Sequence, residues 1–231
     1  PRLTPVLEAE QRLRHHVLAV ISETGLDLMT FPRHGEPSLH SVSETDPDRI
    51  THLLAETVKA TDTKLVLLAG AIETVSAIRH QLQFDVPIET VVEVLSLHDG
   101  DIDEIGVAAV RQVSNEQAVR TVETLRGWKF ERAHGSAPSD LVGSIHALRA
   151  GNARLLLVND DMDDQRQVWV GPAPTDLAID LEDASHTIGA ADLQAVRMVD
   201  GLVRSALLQG VPVQIVPSLP DSTLPGGVGV L

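Results

Sequence analysis

The chain alternates between two hydrophobic patterns, one with the period of a helix and one typical of buried strands. Apolar residues at spacings of three and four lie on one face of a helix. Such stripes occur at residues 50–58, 102–113, 141–148 and 196–207. Continuous apolar runs are typical of strands that are buried on both faces. Runs that are mainly apolar occur at residues 64–69, 155–158 and 213–216. Because helices and strands alternate, the pattern predicts an α/β fold.

The first part of the chain predicts a hairpin followed by alternating helices and strands. Residues 16–23 and 26–31 flank Thr24-Gly25, a pair that suits a hairpin turn. The polar residues 32–45 predict an exposed loop, and Asp46 before Pro47 predicts the start of a helix. The remaining elements of a first α/β domain are a helix at 72–82, a strand at 86–95 and a long helix at 101–126.

The second part of the chain repeats one unit, a helix that is ended by glycine and followed by a buried strand. In the first copy, Pro138 suits the first turn of the helix and Gly151 suits the left-handed position after it. In the second copy, Val196 and Leu207 lie on the helical stripe, and Gly210 ends the helix. The elements predicted between the copies are a strand at 167–170 and a short helix near Asp176.

The helical pattern lapses over residues 127–138, and this lapse places a domain boundary there. We therefore predict two domains, residues 1–132 and residues 133–231, in a chain long enough for two modest cores. The chain begins with Pro1 rather than Met, so we also expect that sequence is missing upstream.

Composition and charge narrow the range of functions. Apolar residues make up 43% of the chain, which is enough for packed cores. The formal charge of −15 repels phosphate across a Debye length of roughly 8 Å in physiological salt. Broad electrostatic binding to DNA or free RNA is therefore disfavoured, whereas a local basic loop remains able to touch RNA inside a larger assembly.

The chain contains no cysteine, and its N-terminus lacks the features of a signal peptide. The lack of cysteine excludes disulfides, thiolate catalysis and cysteine-ligated zinc. No apolar run approaches the roughly 18 residues that a membrane span needs. We therefore expect a cytoplasmic protein that does not contact a membrane.

A dense acidic turn is the first candidate for chemistry, and it consists of Asp160, Asp161, Asp163 and Asp164. Carboxylates at the C-terminal end of a strand can hold magnesium, usually together with substrate phosphates. The interpretation that we prefer is a solvated loop that links the two strands of a hairpin.

A second acidic run, Asp99, Asp101 and Asp103, resembles the opening of a calcium-binding loop. That motif needs glycine and glutamate at positions where this chain has Glu104 and Val110, so we interpret the run as an acidic first turn of a helix. The ten histidines have no metal-binding spacing. We therefore predict no catalytic residue, no metal site and no cofactor.

A nuclease of the ribonuclease-H type needs several acidic residues, one of them typically on its first strand. Residues 17–22 contain none, and Asp27 on the next strand lacks an obvious partner. The best candidate for an RNA-facing tip is the loop at Arg33, His34, Gly35 and Glu36. These residues offer charge and hydrogen bonds, and the competing interpretation is an ordinary surface connection.

Residues 139–160 and 192–231, which end in a glycine-rich strand, resemble the C-terminal domain of the archaeal and eukaryotic peptide-release-factor and Pelota superfamily. That domain is an L7Ae-like α/β sandwich. Residues 16–126 resemble the superfamily's middle domain, which has a ribonuclease-H-like fold without nuclease chemistry. The likeness is greatest to the bacterial branch, which includes actinobacterial release-factor-like proteins and Balon-type ribosome-hibernation factors. It lies in element order and apolar pattern, with no invariant catalytic motif and no counterpart of the family's N-terminal domain.

The resemblance implies a function on the ribosome. Release factors carry a Gly-Gly-Gln loop at the position of residues 32–45, where this chain has only Gly35 and no glutamine. The resemblance therefore implies a non-catalytic translation-factor relative in hibernation, stress or rescue, whose Arg33 to Glu36 tip faces the ribosomal A site or tRNA. The implied partners are ribosomal RNA and protein, with a translational GTPase as a further partner.

Two other functions stay open at the level of sequence. One is hydrolysis of the peptidyl-tRNA ester, as in relatives that have a glutamine in this loop. The other is a protein-interaction module that acts outside translation. Co-sedimentation with ribosomes at physiological salt distinguishes the translation factor from the interaction module.

Overall fold

The computed structural model describes residues 7, 11, 15–32, 36–95, 102–138, 140–159, 161, 164–188, 193–217 and 224–231, and they form an α/β fold. The chain divides into two compact units. The first unit is Arg12–Gln117, and the second is Ala118–Leu231 together with Pro1–Gln11. The predicted domains, residues 1–132 and 133–231, stay predictions.

The first unit is built around one five-stranded mixed sheet. Its strands are β1 (His16–Ser22), β2 (Gly25–Phe31), β3 (Ser38–Val42), β4 (Leu65–Gly70) and β5 (Val91–Val94). Its helices are α1 (Pro47–Thr61), α2 (Ile72–Asp85) and the first half of α3 (Ile102–Ala133). The strand order is β3-β2-β1-β4-β5. The pairs β3-β2 and β2-β1 are antiparallel, and the pairs β1-β4 and β4-β5 are parallel.

Two apolar layers cover this sheet, and the side chains of β4 alternate between them. Val66 and Leu68 pack in the layer that includes α1 and α2. Leu65 and Leu67 pack in the layer that includes the first half of α3. The first five residues of β4 are buried, so the prediction of a strand buried on both faces is confirmed.

The predicted start of α1 is also confirmed. The side chain of Asp46 caps the helix by accepting a hydrogen bond from the backbone N–H of Asp48 at 3.0 Å, and Pro47 occupies the first helical position. The apolar stripe predicted on α3 is also confirmed, because Ile105, Ala109 and Val113 are all buried.

Three predictions for the first part of the chain need correction. Residues 32–45 are not all loop, because they contain β3, which pairs with β2 from Thr30 opposite Ser38 to Leu26 opposite Val42. All five residues of β3 are exposed, so no apolar pattern marks the strand. The strand predicted at 86–95 is confined to β5, because Thr90 N–H donates to the carbonyl of Pro87 in a turn before it. Helix α3 continues past residue 126 to Ala133.

The second unit contains two small sheets, each of three strands. Its strands are β6 (Leu156–Asn159), β7 (Gln167–Val170), β8 (Leu177–Ala178), β9 (Gln194–Arg197), β10 (Val213–Val216) and β11 (Val228–Val230). Its helices are the second half of α3, α4 (Leu141–Arg149), α5 (Leu181–Thr187), α6 (Met198–Leu208) and the 3-10 turn Pro225–Gly227. The strand orders are β10-β6-β11 and β8-β7-β9.

Strand β6 is covered on both faces. Leu156 and Val158 pack in a core with α4 and α6. Leu157 faces the other way, into a cluster around the fully buried Trp128 of α3. Burial of Trp128 gives α3 a reason to continue where the sequence pattern lapses, since the indole anchors its last turns to the sheet.

The helix–glycine–strand units are confirmed, with changes in detail. Gly151 and Gly210 have φ values of +68° and +72° after α4 and α6, as the left-handed position requires. Pro138 lies outside α4, whose cap is Asp140. Val196 lies on β9 rather than on a helix, because α6 begins only at Met198.

Two further positions differ from expectation in this unit. Leu207 is 45% exposed, so the buried stripe of α6 ends earlier than the sequence spacing predicts. The short helix predicted near Asp176 lies further along, at Leu181–Thr187, after the two-residue strand β8.

Candidate functional site

The connection between β2 and β3 holds the residues that the sequence favoured as a site. Glu36 is exposed there. Arg33, His34 and Gly35 lie outside the described residues, so their predicted orientation stays a prediction.

Side-chain contacts fix the base of this connection. The last backbone pair of the hairpin joins Thr30 to Ser38, and their hydroxyl groups are hydrogen-bonded to each other. Phe31, at the end of β2, stacks on the ring of His16, with 4.3 Å between ring centroids and an interplanar angle of 8°. Side-chain contacts therefore anchor the strand ends on both sides of the connection.

Asp27 is the only acidic residue in β1 or β2, and the structure gives it a partner. It lies on β2 opposite Val20, is exposed, and accepts a hydrogen bond from the Ser41 hydroxyl at 2.5 Å. The expectation that Asp27 lacks a partner is therefore wrong. Its contact is one that joins neighbouring strands, which suits a structural role rather than nuclease chemistry.

The sequence predicted that the acidic turn after β6 links the two strands of a hairpin, and this prediction is wrong. Strand β6 pairs with β10 and β11, whereas β7 pairs with β8 and β9, so the turn connects two different sheets. Asp160 and Asp163 lie outside the described residues. Asp161 and Asp164 are described, and the contacts of Asp164 show its role.

Asp164 forms an ion pair with Arg166, whose Nη2 lies 2.6 Å from Oδ2 of the carboxylate. The same Nη2 donates to the carbonyl of Gly226 at 2.8 Å. The hydrogen bonds that the Arg166 guanidinium donates to Asp164 lower the pKa of the Asp164 carboxyl from its ordinary value, and the same bonds raise the pKa of Arg166. This carboxylate is therefore committed to an internal contact rather than to a metal ion.

Within the described ranges, no group of three or more His, Cys, Asp or Glu side chains is arranged to hold a metal ion. Asp103 lies in the first turn of α3, where a carboxylate interacts favourably with the helix dipole. Asp99 and Asp101 fall outside the described part of the chain. His146 lies on the exposed side of α4.

The first unit also has shallow surface depressions, each formed by one stretch of chain. A depression of about 410 Å³ is lined by Glu44, Asp48, Arg49, His52 and Leu53. The backbone N–H of Asp46 donates to Glu44 and lowers the pKa of that carboxyl from its ordinary value. Since its polar lining is already capped or paired, we assign this depression no chemistry. None of the described helices is long and apolar enough to cross a lipid bilayer.

Comparison with solved structures finds the same fold in an archaeal Pelota. In a complex bound to the ribosome with ABCE1, archaeal Pelota matches 93% of this chain at 14% sequence identity, with a TM-score of 0.56. This chain spans 60% of that Pelota chain. At this identity the similarity concerns the fold alone.

Two other Pelota structures match with lower scores, which carry no argument by themselves. Archaeoglobus fulgidus Pelota matches 99% of this chain and 68% of its own length at 16% identity, with a TM-score of 0.45. Thermoplasma acidophilum Pelota has the same coverages at 14% identity, with a TM-score of 0.32. No protein-family model matches the chain, and no curated protein matches it by sequence.

Proposed function

We propose that this protein is a ribosome-binding relative of Pelota-type translation factors that acts without catalysis in hibernation, stress or rescue. The observation that carries the proposal is the fold shared with ribosome-bound archaeal Pelota over 93% of this chain. The proposal places the protein in the cytoplasm, within the bacterial branch that includes Balon-type factors.

The topology of the two units supports a finer assignment. In the first unit, three antiparallel strands are followed by two parallel ones in the order β3-β2-β1-β4-β5, an arrangement that suits a ribonuclease-H-like middle domain. In the second unit, β6 lies between α3 on one side and α4 with α6 on the other, which suits an L7Ae-like sandwich. Its division into two three-stranded sheets departs from a single-sheet sandwich.

The absence of a glutamine supports binding rather than hydrolysis. Residues 32–45 contain one glycine, Gly35, and no glutamine, so the Gly-Gly-Gln chemistry of release factors has no equivalent there. The carboxylates of Asp27 on β2 and Asp164 after β6 are engaged in structural contacts. We therefore assign the tip at Arg33 to Glu36 a contact role at the A site.

Charge bears on the choice of partner surfaces. A formal charge of −15 opposes extended contact with RNA, so contacts with ribosomal RNA must be local. The remaining contacts suit protein surfaces, either ribosomal proteins or a translational GTPase. These partners belong to the proposal and follow from the likeness to translation factors.

Sedimentation tests the proposal. The purified protein is mixed with ribosomes from starved or growing cells and centrifuged through a sucrose gradient at physiological salt. We expect co-migration with ribosomes, and we expect weaker co-migration for Arg33→Gln/His34→Gln than for the control Lys59→Gln on the exposed side of α1. Wild-type protein that stays at the top of the gradient contradicts the proposal. Release of labelled peptide from peptidyl-tRNA favours the hydrolase instead.

A further inference from the structure

Helix α3 changes its charge along its length. The residues from 102 to 117 are mainly acidic, with Asp103, Glu104 and Glu116 against Arg111. The residues from 118 to 133 are net basic, with Arg120, Arg126, Lys129 and Arg132 against Glu123 and Glu131. In a chain with a formal charge of −15, this half-helix is a local exception.

The basic half of α3 has one anchored face and one free face. Trp128 is fully buried, and Thr121, seven residues earlier on the same face, accepts a hydrogen bond from Gln214 Nε2 at 3.0 Å. At 100° per residue, Arg126 and Phe130 lie about 160° away from Trp128. Both are exposed, and Phe130 keeps 65% of its surface accessible. The packing that fixes Trp128 therefore fixes the direction of the opposite face.

Arg126, Phe130 and His134 follow one another at four-residue spacing on this free face, with Lys129 beside them; we refer to these four residues as the cationic-aromatic row. The rings of Phe130 and His134 are in contact, with centroids 4.2 Å apart at an angle of 37°. His134 Nδ1 lies 2.8 Å from the carbonyl oxygen of Phe130, so Nδ1 donates to it and the imidazole is held against the phenyl ring. The two rings form an exposed platform.

The charges of the cationic-aromatic row are available to a partner. Among the described contacts, neither Arg126 nor Lys129 forms an ion pair, whereas Glu131 on the same helix is held by Arg154 at 3.2 Å. Glu123, one turn before Arg126, is an exposed acidic residue on the same helix. The C-terminal end of a helix carries about half a negative charge, which two full positive charges outweigh.

We propose that the cationic-aromatic row binds RNA, with Arg126 and Lys129 on phosphates and an unstacked base on the rings of Phe130 and His134. Proteins recognise single-stranded RNA by this combination of stacking rings and cations that follow the backbone. The acidity of the rest of the chain does not prevent it, because charges separated by more than roughly 8 Å are largely screened in physiological salt. The inference rests on the proposed function and identifies a contact with ribosomal RNA apart from the β2–β3 tip.

A photo-crosslink distinguishes RNA from protein as the partner. Phe130→p-benzoylphenylalanine is irradiated on ribosomes, with Phe84→p-benzoylphenylalanine as a control, because Phe84 is 78% exposed on α2 beside Asp85. We expect position 130 to crosslink to RNA, so that ribonuclease digestion removes the crosslinked species and protease digestion leaves a peptide attached to the RNA. We expect no crosslink from position 84. A crosslink from position 130 to protein alone, or no crosslink from protein that co-sediments, overturns the inference.

A charge variant tests the same row without a photo-reactive group. Arg126→Gln/Lys129→Gln is compared with Lys59→Gln/Arg111→Gln, which removes the same charge from exposed positions elsewhere. We expect ribosome affinity to fall at least tenfold for the first variant only. The slope of log affinity against log salt should decrease by about 1.4, since each phosphate contact on a single strand contributes about 0.7. Equal affinities of the two variants overturn the inference but leave the proposed function standing.

If the wild-type protein does not co-sediment, the proposed function fails and the row is tested by itself. Fluorescence anisotropy of a fluorescein-labelled 20-nucleotide oligouridylate then measures RNA binding at low salt. Binding that Arg126→Gln/Lys129→Gln abolishes and the control retains supports the inference. A lack of binding, or binding that both variants retain, overturns it. Circular dichroism of each variant verifies that the fold is unchanged.

Discussion

Gly229 and Trp128 form the closest contact between a glycine and a ring in the described core. A Cβ atom added at Gly229 would lie 2.8 Å from both Cε2 and Nε1 of Trp128, nearer than real Cβ contacts allow. Leu157 and Val216 enclose the same indole. The glycine-rich end of the chain is therefore explained by packing, because β11 must pass flat against the ring.

We predict that Gly229→Ala destabilises the protein by about 1–3 kcal/mol, the usual cost of forcing an extra methyl group into a packed core. Urea unfolding followed by far-UV circular dichroism measures the change. The indole would have to shift by several tenths of an ångström, and Trp128 is enclosed on its other sides.

Gly127→Ala provides the matched control. Gly127 precedes Trp128 on α3, and an added Cβ there meets nothing within 4 Å. Replacing glycine by alanine inside a helix should stabilise by about 0.5–1 kcal/mol. Equal destabilisation by the two substitutions would show that the contact with Trp128 is not the cause.

At the scale of elements, the sequence predicts those whose signal is local. The Asp46-Pro47 pair marks the start of α1 because the capping and the fixed φ act within two residues. The apolar run of β4 predicts the strand because a strand that is buried on both faces needs apolar residues at successive positions. Gly151 and Gly210 end their helices with a positive φ, which glycine adopts most readily, so the residue type alone marks the end of each helix.

The elements that sequence reasoning missed depend on contacts with distant residues. Strand β3 is exposed along its length and exists because β2 offers it a partner. Val196 fits a helical stripe, but β9 pairs it with Val168 of β7, and this tertiary contact overrides the local period. The extension of α3 to Ala133 depends on the pocket that receives Trp128.

The candidate sites also divide into one that a local sequence signal predicts and one that depends on contacts with distant residues. The tip at Arg33 to Glu36 was predicted from its polar composition, and only Glu36 among its residues is described. The cationic-aromatic row was missed because residues 127–138 were interpreted as a domain boundary. Four-residue spacing of Arg126, Phe130 and His134 was a signal, but it becomes informative only once Trp128 is known to point the other way.

The ion pair between Asp164 and Arg166 gives a prediction for how stability depends on pH. Arg166 ties the segment before β7 to the glycine turn before β11 and lowers the pKa of Asp164. A carboxyl whose pKa is lowered by folding stabilises the protein above its unfolded pKa of about 3.9, and this stability is lost as the pH falls through the folded pKa. Asp164→Asn should therefore be less stable than wild type at pH 7, with a difference that shrinks below about pH 4.

Urea unfolding at a series of pH values measures that difference. Glu23→Gln is the control, because Glu23 is exposed in the β1–β2 turn and forms no ion pair among the described contacts. Its stability should follow that of wild type at every pH. A deficit of Asp164→Asn that persists or grows on acidification would contradict the role assigned to the ion pair.

At the scale of the whole molecule, charge is the dominant feature. With 33 acidic and 18 basic residues, the folded chain repels itself. Local pairs offset this only in part, as where Lys64 lies between Asp62 at 2.9 Å and Glu89 at 2.8 Å. Exposed pairs of this kind contribute little to stability.

We therefore predict that salt stabilises the protein. Raising sodium chloride from about 10 mM to about 150 mM shortens the Debye length from roughly 30 Å to roughly 8 Å, so repulsion is screened and the Tm rises. A gain of about 1 kcal/mol corresponds to roughly 2–4 °C at this chain length. Calorimetry measures the shift, and Lys59→Gln/Arg111→Gln, which is more acidic, should respond more strongly. A Tm that falls with salt would mean that ion pairs outweigh repulsion.

The positions of the two tryptophans determine which part of this protein intrinsic fluorescence monitors. Trp128 and Trp169 both belong to the second unit, and the chain has no tyrosine. Tryptophan emission therefore comes from the second unit alone, and an unfolding curve recorded by that signal would not report on the first unit directly. Phe31→Trp, beside the imidazole of His16, would supply the missing optical probe.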